Sequence, residues 1–241
     1  MKNHPEAPLD GNTVATGKTS VFSGNTDSSG NNSIYFVQGE EWSIIFNYQL
    51  NINTIGTGLL DMQDPMRGGG EYANIEITKT GTGTWRLAGN NVLTGAGFSV
   101  EQGTFHLGNG SGTAAQLNLG NGTFTLANSA TLTFDTGSSM TAAAFDLRTG
   151  SQLRFNTTNA VAGGTALLSL NTNTPGLTIV GSNVYVTSPT TPLTNGQSIV
   201  LAQTNGTFTV AGNLYVNGTL ATPFVRSTAG TLYNVLTTNA A

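Results

Sequence analysis

From Trp85 onward the apolar residues of this 241-residue chain come in pairs one position apart: Trp85/Leu87, Phe98/Val100, Phe105/Leu107, Leu117/Leu119, Phe124/Leu126, Leu132/Phe134, Phe145/Leu147 and Leu153/Phe155. Side chains at i and i+2 of an extended strand share a face, so each pair predicts a short strand with one side buried. Gly108-Asn109-Gly110, Gly120-Asn121-Gly122, Thr136-Gly137-Ser138 and Thr149-Gly150-Ser151 stand between the pairs and read as turns. Nowhere does the apolar pattern hold the 3.6-residue period of a helix, and the expected class is all-β.

Self-comparison separates a sandwich from a solenoid. GTFHLG (103–108), GTFTLA (122–127) and AAFDLR (143–148) recur, and GTFTVA returns at 206–211. A fixed period of roughly 20 residues with short strands in each repeat predicts a parallel β-solenoid, one coil per repeat. On that period Phe105, Phe124 and Phe145 occupy consecutive inner rungs, while His106, Thr125 and Asp146 form one outward column. Residues 1–33 read as a polar tail or cap, 34–74 as irregular first coils with an inserted loop, and 75–241 as regular solenoid.

Composition sharpens this. Gly, Thr, Asn and Ser supply 114 of the residues, and only 20 carry a formal charge. Helical domains need more Ala, Leu, Glu and Lys, whereas disorder is opposed by 37% hydrophobic residues including 11 Phe. The net charge of −4 and the single, scattered Lys and Arg assemble no cationic surface, which excludes nucleic acid as a partner. After Asp146 the only charges are Arg148, Arg154 and Arg226, leaving a neutral amide and hydroxyl surface suited to glycans or proteins. The absence of cysteine excludes disulfides, thiol catalysis and Cys-type zinc sites. No apolar run approaches the ~20 residues of a membrane-spanning helix, so direct membrane insertion is not expected.

Residues 79–108, KTGTGTWRLAGNNVLTGAGFSVEQGTFHLG, closely resemble the autotransporter-associated β-strand repeat. Lys79, Gly81, Gly83, Trp85, Leu87, Gly89, Asn90, Asn91, Gly95, Val100, Gly103 and Leu107 fall on its pattern in order; Leu93 and Gly97-Phe98 depart from it. Residues 167–210 are similar, more loosely, to coils that follow this repeat in autotransporter passengers. The resemblance implies a right-handed parallel β-helix, secreted by a type V system and displayed on or released from a Gram-negative cell surface. No cofactor is expected. The translocator barrel of such systems is expected to lie outside this chain.

Chemistry-bearing residues are few. Asp61, Asp64 and Glu71, with Arg67 and Tyr72, form the one dense acid cluster and read as a solvated insertion or a partner-contact loop; the further alternative, a metal site or carboxylate catalysis on a polysaccharide, needs acids fixed on rigid elements. No Gly-x-Ser-x-Gly elbow occurs. His106 and Asp146, two rungs apart on the expected column, are too distant for a triad. Trp85 and Phe105 belong to the core, Arg86 and Glu101 are expected as a surface pair, and the Thr-x-Thr pairs are ordinary strand threonines. The sequons at Asn31, Asn109, Asn121, Asn156, Asn205 and Asn217 mostly coincide with Asn-Gly turns, which accounts for them.

Three function classes follow: a non-enzymatic adhesive or structural scaffold, a self-assembling filament subunit, and a polysaccharide-acting enzyme. With no nucleophile and base pair in view, the first is expected. Its partners would be surface glycans, proteins or further copies of the chain.

Overall fold

The structure of the chain, a computed structural model, describes residues 12–14, 19–22, 34–35, 48–63, 65–68, 75–156, 163–164, 166–172, 178–179, 183–187, 197, 199–204, 207–208, 213–221, 225–228 and 231–234. Three sheets share these strands. The first stacks Asn12–Val14, Tyr48–Thr54, Ile75–Thr80, Gly97–Val100, Thr123–Leu126 and Ala144–Leu147. The second stacks Thr19–Phe22, Leu59–Met62, Thr84–Leu87, Thr104–Leu107, Thr131–Phe134, Gln152–Phe155, Asn183–Val186 and Leu214–Val216, ending on Thr219–Ala221. The third runs Ile34–Tyr35, Met66–Gly68, Asn90–Leu93, Gln116–Asn118, Ser138–Ala142, Leu168–Thr172, Ile199–Thr204, Thr231–Asn234 and Val225–Thr228. A short fourth pair joins Thr178–Ile179 to Thr207–Phe208.

Up to Leu214–Val216 each sheet takes every third strand of the chain, and every neighbour is parallel. Parallel neighbours need a crossover of a dozen or more residues, and here that crossover passes through the other two sheets. The fold is all-β with parallel strand-on-strand stacking, an arrangement compatible with a β-solenoid. Only the last strands reverse: Thr219–Ala221 against Leu214–Val216, and Thr231–Asn234 against both Ile199–Thr204 and Val225–Thr228. Two strands, Asn12–Val14 and Thr19–Phe22, fall inside the stretch expected as a polar tail.

Alternation along each strand sends one side chain in two to a continuous apolar core. Trp85, Phe98, Phe105, Phe124 and Phe155 are its largest fully buried apolar members. Trp85 stacks on Phe98 at 5.2 Å between centroids and Phe98 on Phe124 at 5.6 Å, while Phe105 tilts against Trp85 at 5.4 Å.

The register corrects the expected columns. Phe124 lies between Phe98 and Phe145 in the first sheet, whereas Phe105 lies between Trp85 and Leu132 in the second. His106 therefore stacks between Arg86 and Thr133, and Thr125 between Ser99 and Asp146. The cause is variable coil length: Trp85 to Phe105 is 20 residues, Phe105 to Leu132 is 27, and Leu132 to Leu153 is 21. The turn-rich segment between Leu107 and Gln116 lengthens the middle coil, so a step of 19 residues lands one sheet over rather than one coil up.

Several buried polar groups sit near the points where the chain changes sheets. Lys79 faces inward beside Ile77, fully buried, and its ammonium donates to the carbonyls of Thr80 (2.9 Å), Gly81 (2.6 Å) and Gln102 (2.9 Å). Three donors thus meet three acceptors on two successive coils. The approach is close: a Cβ on Gly103 would stand 2.8 Å from the Lys79 Nζ and 2.5 Å from the Gly83 carbonyl, at a φ of +72 that also favours glycine. Asn91, equally buried, accepts from the Met66 N–H at 2.7 Å and donates to the Ala88, Gly89 and Gln116 carbonyls, tying three successive strands of the third sheet. Ser138 accepts from the Ala115 N–H and donates to the Leu107 carbonyl.

Two outcomes test this account. Phe124→Ala should cost about 3–5 kcal/mol in urea unfolding, the range for emptying a filled aromatic site; an unchanged midpoint would contradict its burial. Burial lowers the Lys79 pKa from 10.5 to about 8. Between those values the unfolded chain keeps a proton that the folded chain has released, so stability contributed by this group rises with pH across the window. Lys79→Met should lose about 1–3 kcal/mol near pH 7 by orphaning carbonyls, and the stability difference between native chain and variant should widen from pH 8 towards 10.5. A constant difference would place the ammonium outside the corner.

Candidate functional site

With the apolar pairs turned inward, the residue between each pair faces out. In the second sheet these residues stack in register as one column: Asp61, Arg86, His106, Thr133, Arg154, Tyr185 and Tyr215. Beside it runs a second column of Leu59, Thr84, Thr104, Thr131, Gln152 and Asn183.

The first half of the main column is ionic and covered. Arg86 Nη1 pairs with Asp61 Oδ2 at 3.3 Å, and the Gln63 amide also donates to that oxygen at 3.3 Å. His106 Nδ1 lies 2.9 Å from Thr133 Oγ1, and its Nε2 lies 3.5 Å from Asp135 Oδ1. The other Asp135 oxygen accepts from the Gly110 N–H at 2.7 Å. Segment 108–114 folds over this group: a Cβ on Gly110 would stand 2.5 Å from Arg86 Cζ. Desolvation under this cover lowers the His106 pKa below 6.5; the Asp135 carboxylate opposes the shift, as Asp61 does more weakly, and Arg86 reinforces it.

The second half is open and aromatic. Arg154 donates through Nε (3.1 Å) and Nη2 (2.7 Å) to Gln152 Oε1, which holds the guanidinium flat, and its Cζ lies 4.4 Å over the Tyr185 ring. Tyr185 stacks on Tyr215 at 4.5 Å with planes 7° apart. Leu220, 60% exposed, sits opposite Tyr215 in the terminal hairpin. The result is a strip of one cation, two half-buried phenols and an amide row, able to offer stacking edges and directional hydrogen bonds to a partner.

The expected partner-contact loop fares differently residue by residue. Asp61 is not in a loop: it lies in strand Leu59–Met62, 7% exposed, and is committed to Arg86. Arg67 lies in strand Met66–Gly68, its backbone paired with Tyr35 and Val92. Asp64, Glu71 and Tyr72 lie outside the described residues. Arg86 pairs with Asp61 and not with Glu101, which accepts from Ser99 instead. Sequence reasoning missed Asp135, Arg154, Tyr185 and Tyr215. The signal for three of them was present, as each is the middle residue of an apolar pair. Among the described residues no three His, Asp or Glu side chains converge as metal ligands, and no helix is long and apolar enough to cross a membrane.

No protein-family model matches the chain, and no curated protein or solved structure does either.

Because the folded His106 resists protonation that the unfolded chain accepts near pH 6.5, stability should fall as pH drops below that value. His106→Gln should remove this part of the acid sensitivity. If variant and native chain lose stability in parallel between pH 6.5 and 5, the covered position of His106 is wrong.

Proposed function

We propose that the chain is a right-handed parallel β-solenoid acting as an extracellular, surface-displayed adhesive or structural scaffold, of the kind carried as a passenger segment on Gram-negative cells. Right-handedness is supported by the parallel crossovers, which are right-handed in nearly all sheets. The passenger reading rests on the repeat-like stretch 79–108, whose Lys79, Trp85, Leu87 and Asn91 are all interior. A non-enzymatic role is supported by the state of Asp61, whose carboxylate is buried against Arg86 rather than presented to a substrate.

The observation that carries the adhesive reading is the column from Arg154 through Tyr185 to Tyr215, flanked by Gln152 and Asn183. Such a strip makes many weak contacts with a neutral glycan or a protein surface, and strength then comes from display in many copies. Copies of the chain are a second class of partner, favoured by the exposed Leu220 on the edge strand Thr219–Ala221.

Bead-bound protein should therefore hold target cells far more tightly than monomer, by at least about a hundredfold in apparent affinity. Raising salt should change this little, because charges are few. Tyr185→Ala with Tyr215→Ala should reduce adhesion at an unchanged fold by circular dichroism. Full adhesion by that double variant would move the function off this column, and turnover of a polysaccharide that stops with Asp61→Asn would replace scaffold by enzyme.

A further inference from the structure

The chain contains five Asn-Gly pairs, at Asn109, Asn121, Asn195, Asn205 and Asn217. Such a pair can cyclise when the glycine nitrogen reaches the asparagine side-chain carbon, but the step needs a proton acceptor on the N–H and polarisation of the side-chain carbonyl. At Asn109 both are in place. The Gly110 N–H points at Asp135 Oδ2, 2.7 Å away, and Asn109 Oδ1 accepts from the backbone N–H groups of Ser111 (2.8 Å) and Thr113 (3.0 Å). At Asn121 the next glycine donates instead to the Leu119 carbonyl at 2.8 Å, which is no base. Asn217 and Gly218, at φ of +49 and +79, are fixed in the two-residue hairpin before Thr219.

We infer that Asn109-Gly110 is a self-modification site, at which the Gly110 nitrogen displaces ammonia from the Asn109 side chain with Asp135 as proton acceptor. The Gly110 N–Cγ bond forms as its proton passes to the Asp135 carboxylate and the carbonyl electrons move onto Oδ1, held by the Ser111 and Thr113 N–H groups. Collapse reforms the carbonyl and breaks Cγ–Nδ2, while Asp135 returns the proton to the departing nitrogen, giving ammonia and a succinimide. Water then adds across either ring carbonyl–nitrogen bond, leaving an aspartyl or a β-linked isoaspartyl residue at position 109. The balance is water in and ammonia out, with no oxidation. Residues 110–113 are exposed, so water has access, and open space around Gly112 accommodates the longer β-linked backbone.

This inference is independent of the adhesive reading. The full chain is aged at neutral pH, digested with a protease that separates the two turns, and read by mass spectrometry for succinimide and for carboxyl in place of amide at Asn109 and Asn121 in the same sample. In the folded chain Asn109 should convert at least about tenfold faster than Asn121, and in concentrated urea the ratio should approach one. Asp135→Asn should bring Asn109 down to the pace of Asn121 without moving Asn121. Equal rates in the folded chain, or a ratio that survives urea, would overturn the assignment. If Asp135→Asn fails to fold, the comparison of folded with urea-treated native chain decides alone; if it folds and Asn109 keeps its rate, Asp135 is not the acceptor and the inference fails.

Discussion

Parallel strands that return to the same sheet after visiting two others must turn corners, and each corner takes backbone carbonyls and N–H groups out of the ladder at a place where water is scarce. An unmet buried carbonyl costs about as much as a hydrogen bond gains, so a chain of short strands cannot leave its corners unpartnered. Many corners are met by backbone hydrogen bonds from one turn to the next, as where the Gly95 N–H donates to the Leu119 carbonyl, and three are met from inside as well. Lys79 takes three carbonyls, Asn91 one N–H and three carbonyls, and Ser138 one of each. Each reaches across coils, so the same bonds that satisfy the turn also fix how one coil sits on the next.

That division of labour leaves the rest of the interior free to be apolar and the exterior free of structural duty. The core runs as stacked aromatics and aliphatics, Phe98 on Phe124 and Trp85 against Phe105, with packing carrying the stability that a chain without cysteine has no disulfide to supply. Outward residues between the apolar pairs are then not bound by the packing of the core, and stacking gathers them into columns. A column collects side chains that are about twenty to thirty residues apart in sequence and places them about 4.8 Å apart in space. Arg154, Tyr185 and Tyr215 meet in this way.

Much of this was legible in the residues. Alternating pairs such as Phe124/Leu126 gave the strands and their buried face, because a period of two has few other solutions. The similar hexads at 103–108 and 122–127 misled the register. Both are strands entered through a glycine, and the entry resembles itself in every sheet, so likeness of strand does not distinguish one face from another. Register instead follows coil length, and coil length follows loops such as 108–114, which carry no apolar pattern to count. Asp61 departs from the expected loop for a related reason: it is close to Asp64 in sequence, yet its strand position sends it to Arg86, 25 residues on. The interior lysine was visible only as a letter in a pattern, since hydropathy alone assigns Lys79 to the surface.

Variable coil length without loss of register has a consequence for what the exterior can become. Because extra residues enter at corners, between Leu107 and Gln116 for example, they shift no strand by a single position and turn no inward face outward. The composition of a column is therefore decoupled from the stability of the coils beneath it. Arg86 and His106 could be covered by a loop and Tyr185 and Tyr215 left open on the same sheet with the same core under both. The covered half bears a desolvation cost, visible in the lowered pKa of His106, and keeps a charge pair whose carboxylate is buried and whose guanidinium is part-exposed. The open half keeps its guanidinium flat on an aromatic face, where Gln152 and Tyr185 together order Arg154. Preorganisation of that kind is what lets individually weak contacts add along a column.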